Sequence, residues 1–222
     1  MTRRHDEASG AGGAIVSVLD GPSRALLAVA AHCYSASEAA LADLMKDARA
    51  AQTPAAWLEE LVLSAVLFTG FPRALVAAAA LRRVEPVPAE VGDALDHDQW
   101  REWQARGEAT CRTVYGANYQ RLRRNVRALH PALDGWMLIE GYGRTISRPA
   151  LDLKRRELCA VAMLVPQGVP RQLHSHLRGA LNAGATEAEV EETLDIIDDA
   201  VSVLPAMVAG ARKLWSEVRE SA

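Results

Sequence analysis

The sequence is poor in cysteine. Its 222 residues include only Cys33, Cys111 and Cys159. Because this number is odd and the positions are far apart, the pattern fits neither a disulfide framework nor a thiolate metal site. We therefore expect a reducing compartment and no bound metal.

The chain also lacks a surplus of positive charge and a long uninterrupted apolar run. Its formal net charge of −3 argues against nucleic acid as the main partner, because binding phosphates requires a basic surface. Residues 1–13 contain no apolar stretch long enough for a signal peptide. The most apolar window, residues 58–81, carries charged residues and is broken by Gly70 and Pro72, so it is not a membrane span. These absences predict a soluble cytoplasmic protein with no membrane partner.

Apolar and helix-forming residues are abundant. Half of the residues are hydrophobic, only 5% are aromatic, and alternating β-branched runs are few. The predicted fold class is all-α. Periodicity, caps and breakers predict a first helix after Pro22 and further helices over residues 37–51, 53–70, 74–83, 93–115, 118–129, 131–142, 153–165, 171–183 and 186–201 and from residue 205 onward.

A proline-containing segment is the best candidate boundary. Residues 84–92 include Pro86 and Pro88, which break a helix and stiffen a connection. We divide the chain into a flexible segment (1–20), a first unit (21–90) and a second unit (91–222).

A weak internal repeat relates the two units at a constant offset of 133 residues. It is carried by four matches: Thr53 with Thr186, Glu59 with Glu192, Leu61 with Leu194, and Pro72 with Pro205. Duplication and two unrelated helical hairpins with similar caps both explain these matches.

Three stretches resemble the carboxymuconolactone decarboxylase family, part of the alkylhydroperoxidase D-like superfamily. They are Tyr142–Leu153, Arg156–Leu158 and Gln172–Gly184. Further similar segments extend the resemblance over most of residues 107–215 and into the first unit: Tyr115–Gly116, Thr186–Glu192 and Phe68–Pro72. The resemblance implies a small helical bundle, two related units in one chain, a cofactor-free reaction and self-association, which we expect as a dimer or trimer.

Alkylhydroperoxidase-like members of this superfamily need a Cys-x-x-Cys pair between a glutamate and a histidine. Glu157 and His176 have the required spacing of nineteen residues, but Val169 and Gln172 occupy the cysteine positions. Because peroxide reduction needs a reactive thiolate and a resolving thiol, peroxidase activity is not expected.

Two residues are candidate proton-transfer groups. His176 shares a helix face with Gln172, whereas Glu157 shares a face with apolar residues, where a carboxyl group tends to stay protonated unless it is paired. A buried structural histidine and a structural ion pair are the alternatives. Arg148, then Arg144, with Arg178 as a third choice, would hold a carboxylated small-molecule substrate, and Gln172 would line the same site.

The sequence departs from the family pattern in two places. Where the family has a Tyr-x-Gly-aromatic-Pro run, this sequence has Val201–Pro205. In the first unit, the positions 133 residues before Glu157 and His176 are occupied by Arg24 and Asp43. The leading interpretation is therefore a decarboxylase-like protein acting on a small lactone or ring compound, and the alternative is a non-catalytic helical assembly or binding protein with a decayed site.

Overall fold

The computed structural model describes residues 17–88, 97–200 and 203–221. Within these ranges the chain is helical and contains no strand, so the all-α prediction is confirmed. The α-helices are α1 (Gly21–His32), α2 (Glu38–Ala50), α3 (Ala55–Thr69), α4 (Phe71–Val84), α5 (Trp100–Tyr115), α6 (Tyr119–Leu129), α7 (Pro131–Trp136), α8 (Leu153–Leu164), α9 (Pro170–Asn182), α10 (Glu187–Asp198) and α11 (Pro205–Glu220).

Some sequence predictions lie outside the described residues. These are residues 1–16 of the predicted flexible segment, the end of the proline-containing linker, the first residues of the helix predicted from residue 93, and Val201 and Ser202 of the divergent run. No described helix combines the length and the apolar character needed to cross a membrane.

Polar caps begin several helices. Asp20 caps α1 by accepting from the backbone N–H of Ser23 at 2.7 Å. The spacing of Thr186 and Glu189 in the sequence predicts a capping box, and the two residues form it at the start of α10. The pair Thr53–Pro54 in the sequence predicts that Thr53 caps α3, and this prediction is wrong. Its hydroxyl donates to the carbonyl of Pro22 instead, at 3.1 Å.

The sequence predicts that the helix over residues 131–142 ends at Gly143 and that residues 144–150 form a loop, and this prediction is wrong. The helix that starts at α7 continues as a π-helical segment, Met137–Ile146, which packs against α5. A Cβ atom at Gly143 would overlap the carbonyl oxygen of Trp103, and one at Gly107 would overlap that of Leu138. These glycines therefore allow two backbones to touch rather than stopping a helix.

We expect Gly143→Ala to lower the free energy of unfolding by about 1–3 kcal/mol, because backbone overlap is relieved only by moving α5 away from the π-helical segment. Denaturant unfolding followed by circular dichroism measures this change. Gly135→Ala is the matched control, since a Cβ atom there meets nothing within 4 Å. Equal losses in the two variants would contradict the close crossing.

One apolar core joins the two predicted units. Leu26 and Leu61 of the first unit pack in the same buried cluster as Leu158 and Leu194 of the second. A smaller cluster around Cys111 joins α5 to the π-helical segment. The boundary near residue 90 therefore divides the sequence but not the hydrophobic core.

Polar contacts also bridge the units. Glu192 on α10 accepts from the backbone amides of Val18 at 2.8 Å and Leu19 at 2.9 Å, and it pairs with Arg24. Residues 17–19, which the sequence assigned to a flexible segment, are thus held against the second unit.

The order of helices recurs along the chain. Helices α1, α2 and α3 begin 132 residues before α8, α9 and α10, respectively. At that spacing Ala25 and Leu44 stand where the second unit has Glu157 and His176, one position from the residues expected at the 133-residue offset. The first unit therefore has no corresponding acid and imidazole. Duplication itself stays a prediction.

Candidate functional site

Glu157 on α8 and His176 on α9 meet in the interior. The Nδ1 atom of His176 lies 2.8 Å from Oε2 of Glu157, the distance of an N–H donating to a carboxylate. Glu157 is 1% exposed and His176 is 7% exposed. The contact with Glu157 orients the imidazole, and Nε2 remains without a hydrogen-bond partner among the described residues.

A glycine makes room for this pair. Gly179 lies on the same helix as His176, three residues further on, and a Cβ atom there would overlap Oε2 of Glu157 and lie 2.7 Å from Cγ1 of Val114. The absence of a side chain at Gly179 therefore lets α9 approach α5 with the Glu157 carboxylate between them.

Aromatic side chains surround the pair. Phe68, at the end of α3, presents its ring edge-on to His176, with the ring centroids 5.1 Å apart. Tyr115 and Tyr142 make a similar edge contact at 6.1 Å. Burial raises the pKa of Tyr115 to about 12 and that of Tyr142 well above its usual range, and the nearby charge of Glu157 acts in the same direction. Both phenols are therefore protonated at neutral pH.

The pair falls within a recognised sequence family. Residues 132–213 match the family described as the carboxymuconolactone decarboxylase family, and this range contains both Glu157 and His176. Residues 132–213 therefore belong to that family.

Several curated proteins are similar to this chain. Peroxisomal protein 2 of Schizosaccharomyces pombe is 32% identical over 145 residues, covering 63% of this chain and 66% of the relative. Peroxisomal protein 2 of Saccharomyces cerevisiae is 34% identical over 80 residues, covering 36% of this chain and 28% of the relative. Nitrosuccinic acid decarboxylase npaB of Metarhizium robertsii is 38% identical over 53 residues, covering 24% of this chain and 37% of the relative. The chain thus spans no more than about two thirds of the length of these relatives.

The two arginines predicted to hold a substrate lie away from the pair. Nε of Arg148 is 3.0 Å from Oε1 of Glu60, and Nη1 of Arg144 is 3.0 Å from Oε2 of Glu140. Both arginines line a cavity of about 360 Å³ between α3 and the π-helical segment, whose walls do not include His176. The preference for Arg148 as the carboxylate anchor is corrected accordingly, because that guanidinium is buried against a protein carboxylate.

The other predicted contacts are also dispersed. Gln172 is exposed on α9 one turn before His176, and Nη2 of Arg178 donates to the backbone carbonyl of Ser221 at 2.7 Å. Of the predicted site residues, the structure brings only Glu157 and His176 into direct contact. Phe68, Tyr115 and Gly179, which approach the pair, entered the sequence analysis only as members of resembling segments.

The cysteines have no reactive environment. All three are buried, and burial raises the pKa of Cys33 and of Cys111 to about 12 and that of Cys159 further still. Very little thiolate therefore forms at neutral pH. Thiol peroxidase chemistry would need Cys33 or Cys159 at the protein surface, and both are buried.

Proposed function

We propose that this family member catalyses cofactor-independent decarboxylation, or a related proton transfer, on a small carboxylated lactone or ring compound. The observation that carries the proposal is the buried 2.8 Å contact between His176 and Glu157, which leaves Nε2 of the imidazole for the substrate. Membership of the carboxymuconolactone decarboxylase family and the local similarity to a nitrosuccinic acid decarboxylase support this reaction class.

The proposed reaction needs one proton at one carbon. The bond between the substrate carboxylate and the ring breaks, carbon dioxide leaves, and the electron pair is delocalised into the conjugated lactone or ketone. Protonated His176 then donates from Nε2 to the carbon, while the carboxylate of Glu157 stabilises the imidazolium before the transfer. Solvent returns the proton to His176, which completes the cycle without a cofactor.

Turnover of a defined set of compounds tests the proposal. Purified protein is incubated with carboxylated lactones and β-keto acids, and loss of substrate with release of carbon dioxide is followed by NMR. We expect the parent protein to convert at least one compound and His176→Ala to convert none above background. Absence of turnover by the parent across the whole set would count against a decarboxylase.

A second candidate is a non-catalytic helical binding or assembly protein. It is favoured by the ion pairs of Arg148 with Glu60 and of Arg144 with Glu140, which occupy the guanidiniums expected to hold a substrate carboxylate. Saturable binding of a carboxylated ring compound without conversion, equal in the parent and in His176→Ala, would support this candidate over the enzyme.

Self-association and location are further proposals. Leu67, Phe71 and Leu75 form an exposed apolar stripe on α3 and α4, which supports burial in a homo-oligomer. A sedimentation mass above 24.0 kDa would show association.

The cellular location is the cytoplasm in the proposal from the sequence, and the names of two relatives make the peroxisome the alternative. The location of a fluorescent fusion protein in cells distinguishes the two compartments.

A further inference from the structure

A polar cavity borders α9 at residues other than His176. It has a volume of about 160 Å³ and is enclosed by the end of α5, the start of α6 and the outer face of α9. Its described lining contains no Asp or Glu. The lining contains two arginines, one histidine and three asparagines: Arg121, Arg178, His174, Asn118, Asn125 and Asn182.

Part of this lining is held in place by the fold. Arg178 donates from Nη2 to the carbonyl of Ser221 at 2.7 Å and from Nη1 to its hydroxyl at 3.2 Å. Asn182 donates from Nδ2 to the carbonyl of Val114 at 2.8 Å, which fixes the amide at the cavity wall. Both contacts are with neutral groups, so neither cancels the charge of Arg178.

The basic residues of α6 divide into two kinds. Arg123 and Arg127 both pair with the buried carboxylate of Asp134, so their charge is neutralised within the protein. Arg121 lines the cavity and forms no ion pair with the described residues, and Arg124 is exposed but does not line it. Arg121 is therefore the arginine of α6 that borders the cavity, and Arg124 is an arginine of the same helix that does not.

We propose that this cavity binds a small oxyanion, a phosphate or a carboxylate. Two guanidiniums supply positive charge and several N–H donors, and no described lining carboxylate competes for them. The volume of about 160 Å³ admits an ion of the size of phosphate or of a small carboxylate.

This anion site is distinct from the Glu157–His176 pair. Val114 and Tyr115 line the cavity at the end of α5, and the charge of Glu157 acts on the Tyr115 hydroxyl. Neither Glu157 nor His176 is part of the cavity wall. The inference therefore stands whether or not the proposed reaction occurs.

Calorimetric titration of the full chain tests this site. Inorganic phosphate and malonate are titrated separately in a Tris–chloride buffer of constant ionic strength. We expect saturable binding of one ion per chain, with Arg121→Gln weakening it by about tenfold or more, because a charge-assisted contact is lost. Arg124→Gln is the control on the same helix and is expected to bind as the parent does. Phosphate binding alone would identify a phosphate site, and malonate binding alone a carboxylate site.

Three results would overturn the inference. They are no saturable binding of either ion, equal weakening in Arg121→Gln and Arg124→Gln, and loss of binding in His176→Ala. The second would mean that only the general field of α6 attracts anions, and the third would place the ion at the Glu157–His176 pair. Retained binding in His176→Ala, with or without turnover by the parent, would support two separate sites. Circular dichroism of each variant checks that the helices remain folded.

Discussion

Glu60→Ala is expected to lower the free energy of unfolding by about 3–5 kcal/mol, because it leaves two buried positive charges without their carboxylate. Glu60 is fully buried on α3. Its Oε1 and Oε2 atoms lie 3.0 and 3.1 Å from Nε of Arg148, and Oε2 is 2.8 Å from Nη2 of Arg156. Arg156 is almost as deeply buried, so its charge would stay in the core without the carboxylate that faces it.

Denaturant unfolding of Glu60→Ala beside Glu38→Ala measures this effect. Glu38 pairs with Arg83 at 3.5 Å on an exposed surface, where an ion pair contributes about 0–1 kcal/mol. A loss in Glu60→Ala no larger than that in Glu38→Ala would show that the buried network contributes little to stability.

The buried network also gives the first unit a role at the candidate site. Arg156 is held by Glu60 of α3 and directly precedes Glu157 on α8. Phe68, on the same α3 helix, packs its ring against His176. Although the first unit has no acid and imidazole of its own, its third helix therefore positions the elements that carry those of the second unit.

The features that the sequence predicted correctly depend on local residue patterns or on the residue spacing of the family. The helices follow periodicity and caps, and the nineteen-residue separation of Glu157 and His176 anticipated two residues that do touch. The partner of Arg148 could not be predicted, because Glu60 lies 88 residues away and only tertiary packing brings the two together.

The wrong prediction for Gly143 also arose because tertiary packing is not visible in the sequence. A helix stop and a close helix crossing both favour Gly143, and the second requires knowing that α5 passes there. Phe68 and Gly179 likewise matter through neighbours on other helices, which a single sequence does not show.

Removing the imidazole is the other change with a large expected effect. For a substrate that the parent converts, we expect His176→Ala to lower kcat by about 10²–10⁴-fold, the usual contribution of a positioned proton-transfer group. Glu157→Gln should cause a smaller decrease, because the amide oxygen can still accept from Nδ1 but no longer carries the charge that stabilises the imidazolium.

Gly179→Ala separates positioning from chemistry, because it changes neither partner of the pair. Its Cβ atom would overlap Oε2 of Glu157, the oxygen that contacts His176, so that oxygen must leave its present position. We therefore expect kcat to fall toward the value of Glu157→Gln, whereas Gly210→Ala, where a Cβ atom meets nothing within 4 Å, should match the parent. If Gly179→Ala kept full activity while His176→Ala lost it, the imidazole would act without the carboxylate, and Glu157 would have a structural role only.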